Sequence, residues 1–163
     1  MSSQVMNMSS QIRCTYDFLN SPNAISNSSA RDTPTILSIE ANVKIIIDQA
    51  LYLETSIAIF EFYKSLYRWK RQVTPIFIPA FSYYSVEFDH DEEGAIVSMV
   101  PFTDQGRIQS IWGDERMNTV IPLDTLVTCL SDLERQLRFD LEAYFDIQLD
   151  AFIRHIPYSS SKL

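Results

Sequence analysis

Apolar residues between Ser38 and Gln72 recur at steps of three and four. This spacing places them along one face of an amphipathic helix. No glycine or proline interrupts the segment, several cations lie near its end, and Pro75 prevents its continuation. We therefore expect one long helix from Ser38 to Gln72. Its apolar stripe consists of Ile39, Val43, Ile46, Ala50, Leu53, Ile57 and Phe60.

Residues 39–47 also fit a strand. Apolar residues at odd positions alternate there with the polar residues Glu40, Asn42 and Lys44. A period of two is typical of a half-buried strand. The pattern leaves both interpretations open for this segment, and the absence of a breaking residue favours the helix.

The middle of the chain predicts an antiparallel meander. Segments rich in aromatic and β-branched residues alternate with short polar loops that end in Gly94 and Gly106. Glycine supplies the positive φ that tight connections require. The expected strands cover residues 76–78, 81–88, 95–102 and 107–112.

A second long helix is expected between Pro122 and Pro157. Proline suits a first turn, Asp124 complements the positive end of the helix dipole, and Pro157 stops the helix. The apolar residues again recur at steps of three and four, over about thirty residues. They are Leu126, Leu130, Leu133, Leu137, Leu141, Tyr144, Phe145, Leu149 and Phe152.

The ends of the chain are polar. Residues 1–33 are rich in Ser and Asn and bury too little apolar surface to offset chain entropy, so a disordered tail is expected. An apolar island within it, from Ile12 to Leu19, has the chemistry to dock on the domain or on a partner. Residues 34–157 are expected to form a single domain, followed by a frayed tail at residues 158–163.

These elements predict an α+β, two-layer fold. Its layout is helix–βββ–helix, with an antiparallel meander of three to four strands flanked by two long helices. Helices of about thirty residues would span about 45 Å, which exceeds the diameter of a body of this size. We therefore expect part of a helix to project and to contact a second copy or another protein.

Charge and cysteine content limit the classes of function. The net charge is −8, and residues 72–163 carry −9 of it while residues 1–71 carry +1. Such an acidic half argues against binding to nucleic acid or to an anionic membrane surface. Neither a secretory signal nor a membrane span is evident, and Cys14 and Cys129 are expected to be reduced thiols. These features predict a cytoplasmic protein.

Candidate chemistry is sparse. The acidic loop at residues 89–93 contains His90 but lacks the spacing of a calcium loop, and a solvated turn explains it. His155 suits the end of a helix, and Cys129 lies on an apolar helix face. With three glycines in the chain, no phosphate-binding loop is present. We therefore expect no catalytic, cofactor or metal site.

Two surfaces are candidates for binding a protein. The first is an aromatic patch late in the first helix, formed by Phe62, Tyr63, Tyr67 and Trp69. The second is an acidic stripe of Glu142, Asp146 and Asp150, which lie four residues apart. The leading interpretation is a non-enzymatic module that binds another protein or a second copy of itself. Adaptors, chaperones, inhibitor or immunity proteins and assembly subunits belong to this class.

Two alternatives remain. The first is a sensor or enzyme with a small-molecule pocket between the sheet and the helices. A closed cavity with converging polar groups would support this alternative. Its candidate lining is Tyr83, His90, Arg107, Trp112 and Asp114. The second is a nucleic-acid mimic that uses the acidic stripe to occupy a basic groove.

Overall fold

The computed structural model describes residues 11–86 and 94–158, which contain two antiparallel sheets, four α-helices and a short 3-10 helix (Asn27–Ser29). The strands are β1 (Ile12–Phe18), β2 (Glu40–Ile47), β3 (Ala50–Ala58), β4 (Phe81–Tyr83), β5 (Val97–Phe102), β6 (Gln105–Gln109) and β7 (Val120–Pro122). The helices are α1 (Thr33–Ser38), α2 (Ile59–Gln72), α3 (Leu123–Phe145) and α4 (Leu149–Phe152). The predicted α+β two-layer class is confirmed.

The expected helix from Ser38 to Gln72 is wrong in its first two thirds. Residues 40–58 form the hairpin of β2 and β3, and α2 begins at Ile59. The hairpin turns at Asp48 and Gln49, whose φ angles of 51° and 70° match a two-residue turn with both central residues left-handed. Because neither residue is glycine, the sequence carries no visible signal for this turn. The strand interpretation of residues 39–47 is correct.

The first sheet has the order β1-β2-β3. Its strand β1 lies within the segment that was expected to be disordered, so that expectation is wrong for residues 11–33. The apolar island pairs along its whole length with β2, from Ile12 opposite Ile47 to Phe18 opposite Ala41. Residues 1–10 and 159–163, which cover most of the remaining tail predictions, lie outside the described residues.

The second sheet is the predicted meander, in the order β4-β5-β6-β7. The expected strand at residues 76–78 is reduced to an isolated bridge between Thr74 and Phe77. The strand expected at residues 107–112 begins and ends earlier, as β6, and β7 is an additional strand. The acidic loop at residues 89–93 lies outside the described residues.

The second long helix ends earlier than expected. Asp146 has a φ of 55°, which terminates α3, and the short α4 follows. The 23 residues of α3 span about 35 Å, and α2 is shorter still. The expectation of helices too long for their domain is therefore wrong, and it no longer argues for a partner.

The helices cover the first sheet in a fixed arrangement. Helix α2 lies over β2 and β3, and α3 lies over β1 and beside α2. Helix α2 contributes apolar side chains to the core in two directions. Phe60 contacts Phe152 of α4 at a ring separation of 5.9 Å, and Phe62 contacts Tyr83 of β4 at 5.4 Å. One apolar core thus joins the two sheets.

Candidate functional site

The predicted aromatic patch is largely core. Phe62, Tyr63 and Trp69 are 2%, 0% and 4% exposed, while Tyr67 is partly exposed. The indole of Trp69 also donates a hydrogen bond to the carbonyl of Pro79. The patch was a wrong prediction because α2 packs against both sheets and α3, so aromatic residues on several of its faces are buried.

The predicted acidic stripe is not a continuous surface. Since α3 ends at Phe145, Glu142 lies on α3, Asp146 lies at its left-handed end, and Asp150 lies on α4. Arg138 neutralises two of the three carboxylates, at 3.6 Å from Glu142 and 3.3 Å from Asp150. The stripe therefore gives no support to a docking site or to a mimic of nucleic acid.

One candidate residue, Tyr63, belongs to a polar network between α2 and α3. The hydroxyl of Tyr63 donates to Glu134 Oε2 at 2.5 Å and accepts from Arg138 Nε at 2.9 Å. Lys70 Nζ lies 2.9 Å from Glu134 Oε1. Burial and the hydrogen bond to Glu134 raise the pKa of Tyr63 above its usual range. The network is partly buried and its polar side chains bind one another, which fits a role in joining the helices.

The residues proposed for a small-molecule pocket are not all brought together. Tyr83 is buried and donates to Glu61 Oε1 at 3.3 Å. Arg107 and Asp114 line a cavity of about 250 Å³ beside β3 and β6, whereas Trp112 is exposed. His90 lies outside the described residues.

A larger groove lies between β1 and the first half of α3. Its volume is about 600 Å³, and a second cavity of about 410 Å³ adjoins it at Ile12, Arg13 and Thr125. The lining combines the strand residues Ile12, Arg13, Cys14 and Tyr16 with the helix residues Asp124, Thr125, Thr128, Cys129, Asp132, Leu133 and Gln136.

One end of the groove is closed by contacts between β1 and the second half of α3. The hydroxyl of Tyr16 donates to Asp140, which also accepts from Gln136 Nε2 at 3.0 Å. Phe18 then packs on Tyr144 and Phe145 at ring separations of 5.0 and 5.5 Å. These contacts fix the distance between strand and helix and so set the width of the groove.

The two cysteines of the chain both line this groove. Burial raises the pKa of Cys14 to about 12, with a smaller contribution from Cys129. Burial, with a smaller contribution from Asp132, raises the pKa of Cys129 to about 11. Both side chains are therefore protonated thiols at neutral pH, a state that disfavours nucleophilic chemistry.

The backbone of β1 offers hydrogen-bonding groups on its outer edge. The N–H of Leu19 donates to Glu40, and the carbonyl of Gln11 accepts from Asp48, so odd-numbered positions face β2. In an antiparallel ladder the alternate positions point the other way. The N–H and C=O groups of Ile12, Cys14 and Tyr16 therefore point away from the sheet, at the border of the groove.

The opposite edge of the same sheet is covered. On β3 the even-numbered positions face outward, and the outward carbonyl of Tyr52 accepts a hydrogen bond from Asp114 N at 2.9 Å. Along β1, no hydrogen bond from another described element reaches the backbone of Ile12, Cys14 or Tyr16. The two edges of the sheet thus differ in their capacity to pair with a further strand.

The groove lies largely within the part of the chain that matches a known family. Residues 13–143 match a family model described as Domain of unknown function (DUF7878). The chain belongs to the DUF7878 family. This match begins inside β1 and ends inside α3, so the DUF7878 domain includes most of the segment that the sequence had suggested was a tail. No curated protein and no solved structure matches the chain.

Neither a cluster of metal-ligating side chains nor a membrane span is found in the described part of the DUF7878 chain. Within residues 11–86 and 94–158, no group of three or more His, Cys, Asp or Glu side chains is arranged to hold a metal ion. None of the helices in those ranges is long and apolar enough to cross a bilayer.

Sequence reasoning missed the residues of the β1 edge. The signal was present, since Ile12, Cys14, Tyr16 and Phe18 alternate with polar residues in a period of two. The many Ser and Asn residues around these positions favoured the prediction of a disordered tail instead. That the strand is an edge follows from its pairing with β2, which a single sequence does not display.

Proposed function

We propose that this protein is a non-enzymatic protein-binding module that takes an extended segment of another polypeptide onto the outer edge of β1. The observation that carries the proposal is the outward-pointing backbone of β1 beside the groove under α3. Strand addition of this kind gains affinity from main-chain hydrogen bonds and specificity from the pockets beside them. An adaptor, chaperone, inhibitor or assembly subunit would each use it.

The character of the β1 edge supports this function. Proteins usually protect an edge strand from pairing by proline, lysine, a bulge or a very short length. β1 has seven residues and includes neither proline nor lysine. Its register with β2 is regular along its whole length. Two exposed charges, Arg13 and Asp17, lie on β1, but a regular seven-residue edge without proline or a bulge still has the backbone geometry that a strand-binding site requires.

Selection of displayed peptides tests the proposal. Random twelve-residue peptides on phage would be selected against the immobilised protein, and the selected peptides synthesised. We expect them to alternate apolar and polar residues and to protect the N–H groups of Cys14 and Tyr16 from hydrogen exchange. Exchange protection at other positions would contradict the proposal.

Two variants at residue 14 test whether the backbone of the β1 edge binds the peptide. Cys14→Pro removes an outward N–H without breaking a hydrogen bond to β2, and should weaken peptide binding at least about tenfold. Cys14→Ser is the matched control, since it changes the side chain and keeps the N–H. Equal affinities of the two variants would show that the backbone of β1 does not bind the peptide.

The volume of the groove favours a second candidate function, the binding of an apolar small molecule. At about 600 Å³ it falls within the range of known ligand pockets. The fluorescent probe 1-anilinonaphthalene-8-sulfonate should then bind to the wild type and lose affinity in Thr128→Trp, which fills the groove. Leu19→Trp, outside the groove, is the control. Equal binding to both variants would exclude this candidate.

A further inference from the structure

Two oppositely charged residues lie on the solvent face of β1. Arg13 and Asp17 are exposed and lie on the same side of the strand, with Thr15 between them. Neither forms an ion pair with another described residue. In an added strand, the side chains opposite these two positions would lie within about 5 Å of them. Charge complementarity therefore favours an acidic residue opposite Arg13 and a basic residue opposite Asp17.

The other face of β1 sets a second requirement. Cys14 and Tyr16 point toward α3 and line the groove, together with Leu133 and Cys129. Partner side chains opposite Cys14 and Tyr16 would enter the same groove, because paired residues share a face of the sheet. The groove has room for two aliphatic side chains there. Apolar residues are therefore favoured at these positions.

We propose that the partner segment is an antiparallel strand with the pattern basic–apolar–any–apolar–acidic, bound opposite residues 13–17. This inference rests on the proposed function and specifies its ligand. The antiparallel direction gives the more stable ladder. It also fixes the order of the charges, since the basic residue opposite Asp17 then precedes the acidic residue opposite Arg13.

A second copy of this chain fits less well, although β1 itself carries the pattern from Arg13 to Asp17. Helix α3 lies over β1, and a copy would bring its own α3 over the neighbouring strand. Neighbouring strands are about 4.8 Å apart, whereas a helix with its side chains is about 10 Å wide. The two helices would overlap. The partner is therefore an extended segment of another protein that carries no helix on that face.

Two synthetic peptides of equal composition test the pattern. The first is the acetylated and amidated nonapeptide Thr-Val-Lys-Ile-Thr-Val-Glu-Val-Thr, and the second exchanges its Lys and Glu. Titration calorimetry with the full chain should show at least about tenfold tighter binding of the first peptide, because the second places like charges opposite both Arg13 and Asp17. Equal affinity, or preference for the second peptide, would overturn the inference.

The reciprocal variant Arg13→Asp/Asp17→Arg should reverse this preference while leaving the fold intact, as judged by circular dichroism. Ser56→Asp, on the same face at the covered edge, is the control and should keep the wild-type preference.

If both peptides bind equally and lose affinity in Cys14→Pro, the charge pattern is wrong and strand addition stands. If neither binds, or Cys14→Pro has no effect, strand addition itself fails. A stable dimer that the first peptide dissociates would assign the edge to a second copy and overturn the inference.

Discussion

The buried carboxylates of Glu61 and Glu134 have hydrogen-bond partners outside their own helices. Glu61 of α2 accepts hydrogen bonds from Ser85 Oγ and Val86 N, each at 2.9 Å. Glu134 of α3 is held by Tyr63 and Lys70 of α2. Within the described ranges, no buried side-chain nitrogen or oxygen lacks a hydrogen-bond partner. Because an unpaired buried group is costly, these contacts fix how the elements are oriented.

Removal of the Tyr63 hydroxyl should show how much the polar network between α2 and α3 contributes to stability. We expect Tyr63→Phe to lower the free energy of unfolding by about 1–3 kcal/mol, because Glu134 loses a buried donor and Arg138 loses an acceptor. Urea denaturation measures the change. Tyr67→Phe, on the same helix, is the matched control, since its hydroxyl accepts from Arg71 at an exposed position. Equal losses in the two variants would contradict a stabilising role of the network.

The thiol of Cys14 should make stability depend on alkaline pH. Its pKa is about 12 in the folded protein, against an ordinary value of 9.0. Above pH 9 the unfolded chain releases this proton and the folded chain retains it, so stability falls as pH rises toward 12. The slope for this one group is at most about 1.4 kcal/mol per pH unit. Urea denaturation from pH 8 to 10.5 should show a steeper decline for the wild type than for Cys14→Ser. Parallel declines would mean that Cys14 titrates normally.

At the scale of elements, the first sheet has one closed edge and one open edge. The loop after β6 closes the β3 edge through the contact of Asp114 with Tyr52. Gly113 lets this loop approach, since a Cβ atom added there would lie 2.2 Å from Cζ of Tyr52. The β1 edge has no comparable cover among the described residues. The fold thus directs any strand pairing to the side of the groove.

A methyl group at residue 113 should disturb the closed edge. We expect Gly113→Ala to lower the free energy of unfolding by about 1–3 kcal/mol, because the added Cβ would have to displace the buried Tyr52 ring. Hydrogen exchange at the N–H of Asp114 should accelerate at the same time. Glu115→Ala, at an exposed neighbouring position, should change stability by less than about 0.5 kcal/mol. An unchanged exchange rate in Gly113→Ala would show that the loop is not anchored at Tyr52.

The period of the apolar pattern anticipated some elements and not others. The meander was predicted because its short loops end in glycine, and α3 was predicted because its apolar repeat is long and begins after Pro122. The β2–β3 hairpin was missed because Asp48 and Gln49 adopt left-handed conformations without a glycine. The early end of α3 at Asp146 was missed for the same reason. That β1 forms an open edge beside a groove was beyond prediction, since it depends on which strand pairs with β1 and which helix lies over it.

At the scale of the whole molecule, the two ends of the domain meet. β1 comes from the first residues of the family domain and α3 from its last, and the aromatic contacts of Phe18 with Tyr144 and Phe145 join them. The groove exists because these distant segments are held together at one end and separate at the other. The groove depends on these long-range contacts, and it is lost if β1 detaches.

Substitutions at two neighbouring apolar residues at the end of β1 test whether this strand is an integral part of the domain or a loosely attached tail. We expect Phe18→Ala to cost about 2–3 kcal/mol of the free energy of unfolding, because it removes partly buried contacts to α3. Leu19→Ala is the matched control. Leu19 is 54% exposed, so its truncation should cost less than about 1 kcal/mol. Urea denaturation gives both values, and hydrogen exchange at Cys14 and Tyr16 reports whether β1 loosens. If Phe18→Ala proved as stable as the wild type, β1 would not be held by α3. The groove would then lack a fixed width, and the binding edge proposed for this protein would lose its structural basis.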